Sequence, residues 1–260
     1  MEVIILSDPG RIAGLVADAV ERRVRATPSS VLGLATGSSP LKIYEELIRR
    51  HRQSGLSFAD AHAFLLDEYI GIPRSHDQSY YSVIRREFTN HIDIPAERVH
   101  SPNGESDDIA GEGARYDESI RAAGGIDIQL LGIGTDGHIG FNEPASSLRS
   151  RTRVKTLTEQ TREDNARFFP SMSDVPRHVL TQGLGTISES RQAVLVATGA
   201  AKAEAVAAAV EGPVSAICPA SVLQLHEHAA VIVDEAAGSA LELADYYKHT
   251  YANRPKWQEL

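Results

Sequence analysis

Cysteine is nearly missing from this chain: Cys218 is the only one in 260 residues. A lone thiol excludes an internal disulfide and a cysteine-rich zinc cluster, and it fits a reducing compartment. Long apolar runs are missing too, since none approaches the roughly 20 residues needed to span a bilayer. The N-terminus, MEVIILSDPG, places no basic region before its short apolar run, so no export signal is legible. The expected location is cytoplasmic, with no membrane partner. Positive charge is in deficit, with 26 Lys and Arg against 35 Asp and Glu and a formal net charge of -9. Such a surface repels nucleic acid, so an anionic ligand must be captured locally. No solenoid repeat, low-complexity tract or Pro-, Gly- or Ser-rich linker divides the chain, which points to one domain over residues 1–260.

What is present is an alternation of short apolar runs with amphipathic segments. That pattern predicts an α/β fold with an open, mainly parallel, Rossmann-like sheet and helices on both faces. Val3 to Leu6 reads as a strand, followed by Asp8 as N-cap, Pro9 in the first turn, and a helix with Ile12, Leu15, Val16, Ala19 and Val20 on one face. Val31 to Ala35 and Ala61 to Leu66 read as further strands. Ile126 to Glu143, IDIQLLGIGTDGHIGFNE, opens as a continuously apolar central strand covered on both faces. Later strands are expected over 151–157, 193–197 and 229–233, and helices over 107–123 and from about Gly238. Residues 159–180 fit neither pattern and suggest a mobile lid carrying Arg162, Arg167 and Arg177.

Chemistry-bearing residues gather where these strands end. Thr36, Gly37, Ser38 and Ser39, with Pro40 opening the next helix, offer backbone N–H groups and a positive dipole end to a phosphate. An ordinary capped turn, with Ser39 as N-cap, is the other reading. The turn lacks the GxGxxG and Gly-Lys-Ser/Thr signatures of nucleotide sites, so a small phosphorylated ligand fits better. Asp67 and Glu68 follow the third strand, and their alternation lets at most one face a shared pocket. Asp136, His138 and Glu143 follow the central strand, where open α/β sheets place their ligands. The competing view is that Asp-Gly is turn chemistry and a lone histidine is structural. Lys202 is expected in the first turn of a helix, as a solvated cation or part of an anion site.

Taken together, LATGSSP at 34–40, LDEY at 66–69, GIGTDGHIGFNEP at 132–144, SRTRVKTLT at 150–158, NARFF at 165–169 and LQLH at 223–226 resemble the glucosamine-6-phosphate deaminase family. The likeness runs from the first strand to the last helix. It departs in the phosphate loop, where TGSS stands in place of two adjacent glycines, and in the C-terminal tail. The resemblance implies conversion of glucosamine 6-phosphate to fructose 6-phosphate and ammonia, with no metal and no cofactor. It implies Asp67 as the base at C2, His138 as the proton shuttle of ring opening with Asp136 and Glu143 orienting it, and Thr36 to Ser39, Arg167 and Lys202 around the phosphate. It also implies, from members that are hexamers, an activator site for N-acetylglucosamine 6-phosphate at Ser146, Arg153, Lys155 and Thr156. The tyrosine that completes that site has no direct match; Tyr246, Tyr247 and Tyr251 lie nearest. A 6-phosphogluconolactonase-type hydrolase and a non-catalytic sugar-phosphate sensor are the rival functions.

Overall fold

In the computed structural model, which describes residues 1–255, an apolar run becomes a buried strand wherever turn chemistry bounds it. The strands are β1 (Glu2–Leu6), β2 (Val31–Leu34), β3 (His62–Leu65), β4 (Asp67–Tyr69), β5 (Val99–His100), β6 (Ile128–Leu131), β7 (Arg153–Thr156), β8 (His178–Thr181), β9 (Gln192–Ala197) and β10 (Ala229–Asp234). The helices are α1 (Pro9–Ala26), α2 (Ser38–Ser54), α3 (Tyr80–Glu87), α4 (Ile109–Ala122), α5 (Glu159–Ala166), α6 (Leu184–Ser188), α7 (Ala203–Val210) and α8 (Ala244–Ala252). Seven strands form a parallel sheet in the order β1-β10-β9-β6-β2-β3-β5. The other three form a small antiparallel sheet, β4-β8-β7.

Strand alternation builds a core on each face of the large sheet. Val194 and Val196 of β9 join Leu32, Leu130 and residues of α1 and α2 on one side. Ala193, Leu195 and Ala197 join Leu184, Val206 and Ala209 of α6 and α7 on the other. The expected layering therefore holds. No helix among the described residues is long and apolar enough to cross a membrane. The trailing tail with Trp257 lies outside the described residues.

One glycine shows how tightly the central strands meet. A Cβ on Gly33 of β2 would lie 2.2 Å from the Gln129 carboxamide oxygen of neighbouring β6. Gln129 is fully buried, its Nε2 donating to the Leu130 carbonyl. Gly33→Ala is expected to cost ~1–3 kcal/mol through overpacking, read as a lower denaturant midpoint at unchanged slope. Wild-type stability would mean that the amide swings aside without loss.

Four local expectations are corrected. The N-cap of α2 is Gly37 rather than Ser39, and Pro40 sits in its third position, because glycine at φ 99° turns the chain before the serines. Residues 159–180 are not patternless: they hold α5, a short 3-10 turn and most of β8, the middle strand of the small sheet, whose Val179 and Leu180 are fully buried. Lys202 ends a 3-10 turn, Ala200–Lys202, and stands just before α7. The last helix starts at Ala244 rather than near Gly238. Asp234 takes the N–H groups of Ala237 and Gly238 into turns, and the Glu211 carboxylate receives those of Glu242 and Leu243. A cap arriving from 31 residues away leaves no mark in a local window.

Candidate active site

The large sheet reverses its winding between β2 and β6. The strand after β2 lies on one side, at β3, whereas the next sheet strand after β6 lies on the other, at β9. A crevice outside the carboxyl ends of the strands at such a reversal is where open α/β sheets hold ligands. The adjacent strands β9, β6, β2 and β3 deliver Lys202, the Asp136–Glu143 turn, Thr36–Ser39 and Asp67 to that end.

Gly37 makes the turn in which an anion is expected. Its φ of 99° and ψ of -178° belong to a region essentially restricted to glycine, and no side chain caps α2 behind it. The first-turn N–H groups thus keep their capacity for an anion. Ser39 Oγ would lie 3.6 Å from a Cβ on Gly132, so the turn abuts the end of β6. A cavity of about 610 Å³ beside it is lined by Thr36, Gly37 and Ser38 together with Tyr69, Tyr80 and Arg167. The structure therefore brings Arg167 to the glycine turn from 130 residues away. Lys202 and Asp67 do not line this cavity.

Asp67 opens β4 directly after β3, and only 6% of it is exposed. A Cβ on Gly140 would lie 3.8 Å from its Oδ2 and 2.9 Å from Thr181 Oγ1, so glycine at φ 55° lets the 138–143 turn close over the carboxylate. Among the described residues no hydrogen bond reaches the Asp67 carboxylate. Burial, then the neighbouring Glu68 charge, pushes its pKa up to about 8. Glu68 points elsewhere: it accepts the N–H groups of Tyr69, Tyr80 and Tyr81 and anchors the start of α3. The two acids of the pair therefore face different surroundings.

His138 is held by its own turn. Its ring lies over Gly134, where a Cβ would meet imidazole atoms at 2.2 Å, and its carbonyl accepts the Gly134 N–H. Nδ1 is 2.7 Å from Asp136 Oδ1 and 3.7 Å from Glu143 Oε2. The nearer contact is a close pairing rather than an aligned hydrogen bond, since the carboxylate oxygen sits off the N–H direction. His138 holds the Asp136 carboxyl well below the usual range, whereas burial and Asp136 raise that of Glu143. The donor atoms of all three lie within 4.8 Å of one another, close enough to exchange protons over short paths.

The residues matched to the activator site occupy a neighbouring region. Arg153 and Lys155 stand two apart in β7, partly buried, with Thr156 exposed at its end. Arg153 donates to Asn142 Oδ1, and Ser146 is buried just beyond Glu143. Two further polar residues were given no role by the sequence, although Asn165 opens the NARFF motif. Asn165 Nδ2 donates to Tyr69 Oη at 3.1 Å, and Thr161 Oγ1 donates to Glu143 Oε1 at 2.9 Å. Both come from α5, whose polar composition hid its inward face.

Fold and side chains together define an α/β protein with acidic groups and a histidine near a glycine turn that opens a helix without a side-chain cap. The family model for glucosamine-6-phosphate isomerases and 6-phosphogluconolactonase matches residues 10–232, and the chain belongs to that family. It is 66% identical over 258 residues to a glucosamine-6-phosphate deaminase of Rhodococcus jostii, covering 99% of both chains. A Streptomyces coelicolor protein of the same name is 55% identical over 259 residues, again covering 99% of each. Among solved structures, a monomeric glucosamine-6-phosphate deaminase superposes with a TM-score of 0.89 at 42% identity, covering 92% of this chain and 100% of its own. A 6-phosphogluconolactonase from Thermotoga maritima, at 19% identity, shares the fold, with a TM-score of 0.71 over 90% of this chain and 99% of its own.

Proposed function

We propose that the protein is a glucosamine-6-phosphate deaminase, an enzyme that converts glucosamine 6-phosphate and water to fructose 6-phosphate and ammonia. The observation that carries this reading is 66% identity to a deaminase along 99% of both chains, against a likeness to the lactonases that is one of fold. The site suits the chemistry. The substrate's phosphate sits at the Gly37 turn with Arg167, and Lys202 adds charge from the end of β9. His138 moves the proton from the anomeric hydroxyl to the ring oxygen, which opens the ring, and Asp136 and Glu143 orient the imidazole. Asp67 takes the C2 proton and returns it to C1 while a proton passes from the amine nitrogen to the C1 oxygen, so the aldehyde becomes a hydroxymethyl group and the C2 amine an imine. Water adds at C2 and ammonia leaves. No cofactor enters this sequence, and the part of 159–180 that precedes β8 acts as a lid over one cytoplasmic, single-domain enzyme.

Three substrates test the reading. Incubation with glucosamine 6-phosphate should give equal amounts of ammonia and fructose 6-phosphate, while glucosamine and 6-phosphogluconolactone should be poor substrates. Preferential hydrolysis of the lactone would put the lactonase reading in its place.

The same reading extends to regulation. Arg153 and Lys155 share one face of β7 and could grip a single phosphate of N-acetylglucosamine 6-phosphate. An activator acts only by preferring one of two states, so an assembly such as a hexamer should show a sigmoidal substrate curve made hyperbolic by this compound. A chain that sizes as a monomer, like its 42%-identical relative, with hyperbolic kinetics indifferent to the compound, would leave Arg153 as a structural partner of Asn142.

A further inference from the structure

The α5 segment reaches the site at three points. Thr161 Oγ1 is 2.9 Å from Glu143 Oε1, Asn165 one turn later bonds Tyr69, and Arg167 just past the helix lines the ligand cavity. Residues at i and i+4 share a helix face, so Thr161 and Asn165 can only meet their partners together. The back of the segment is tied down separately, by Arg162 Nη2 donating to the carbonyls of Met172 and Val175. Thr158 caps the helix by accepting the Thr161 N–H, and its hydroxyl oxygen lies 2.8 Å from Thr161 Oγ1.

Proton counting then fixes the direction of this chain. Thr161 has one hydroxyl proton, and an ionised carboxylate can only accept. The Thr161 proton therefore goes to Glu143 Oε1, and the Thr158 proton goes to the Thr161 oxygen. Oε2 of Glu143 is left to face His138 Nδ1. The titratable groups facing Glu143 are Asp136 and His138 from the preceding turn, and α5 contributes the Thr161 hydroxyl.

We infer that Thr161 is a positioning residue that couples the seating of α5 over the ligand to the ionisation of Glu143 and hence to the proton-moving imidazole. The inference rests on the deaminase reading for its kinetic consequence, but not for the hydrogen bond itself. When α5 is seated, the hydroxyl favours ionised Glu143 beside His138. When α5 lifts, Glu143 loses that donor in a buried place and binds a proton more readily. Arg167 sits six residues beyond Thr161, so a phosphate that draws Arg167 inward also holds the Thr161 contact in place. The proton relay is thus set when the ligand is gripped.

Thr161→Val removes the donor at nearly constant shape, and Thr161→Ser keeps it. In the ligand-free protein, the Glu143 carboxyl carbon, assigned by its loss in Glu143→Gln, should titrate at higher pH in Thr161→Val and near wild type in Thr161→Ser. With glucosamine 6-phosphate, Thr161→Val should lose about tenfold in kcat with KM within about twofold, and the acid limb of its kcat profile should move to higher pH. An unchanged Glu143 titration overturns the inference. So does a loss confined to KM, the mark of a loosened lid. A wild-type protein without deaminase activity would sink the deaminase reading, and the Glu143 titration would still decide this one.

Discussion

Asp67→Asn should lose about 10² to 10⁴-fold in kcat while becoming the more stable protein. The amide fills the same space and still lets the sugar phosphate bind, yet it cannot accept the C2 proton at neutral pH. The stability gain follows from burial. The Asp67 carboxylate is enclosed, no hydrogen bond reaches it among the described residues, and its pKa is pushed up to about 8 from the ordinary 3.8. Between those values the folded state binds a proton that the unfolded chain has released, so stability falls as pH rises through this window. Above pH 8 the folded protein carries the full cost of a buried, uncompensated charge, on the order of a few kcal/mol. Asp67→Asn removes that cost. Its Tm should therefore match wild type near pH 4 and exceed it increasingly up to about pH 8. The same titration should make wild-type kcat/KM climb across the neutral range, because the base must be ionised in free enzyme. Equal Tm at pH 8.5, or a flat acid limb, would show that Asp67 is ordinarily ionised and solvated.

The second large effect belongs to the phosphate turn. Gly37→Val meets no other part of the protein, with nothing within 4 Å of its Cβ, although its side chain would share the cavity with the phosphate. The cost comes from the backbone, since φ 99° is a conformation a β-branched residue resists by ~1–3 kcal/mol. Relaxation would tilt the first-turn N–H groups away from the phosphate. The expected result is a KM for glucosamine 6-phosphate raised by about ten- to hundredfold, with little change for glucosamine, which has no phosphate to place there. Thermal melting separates the two costs: a lower Tm with unchanged KM would make Gly37 a folding residue and move the phosphate elsewhere.

Both effects arise at positions the sequence makes visible, and the reason is local. Gly37 and Asp67 each follow an apolar run too short to be anything but a strand, and strand ends are where an open α/β sheet exposes its chemistry. The parallel sheet, its two covered faces and the Asp136–His138–Glu143 turn were legible for the same reason. What escaped depends on contacts between distant segments. Of the antiparallel β4-β8-β7 sheet only β7 was legible, within 151–157, whereas β4 and β8 hold three and four residues, with alternation too brief to register. The inward face of α5 is defined by Glu143 and Tyr69, not by any apolar stripe, so its residues read as lid. The start of α8 is set by Glu211, on a different helix end. Residue types marked the candidate positions for proton transfer and phosphate binding, whereas the partners that position them appear only in the folded chain.

The central claim is that Asp67 removes the proton from C2 of a sugar phosphate held at the Gly37 turn. Glucosamine 6-phosphate carrying deuterium at C2 tests it directly. Wild type should release ammonia and leave the label at C1 of fructose 6-phosphate or in water. Asp67→Asn should bind the same compound by calorimetry and return it with the label still at C2. Loss of deuterium from C2 at a near wild-type rate in Asp67→Asn would contradict the account.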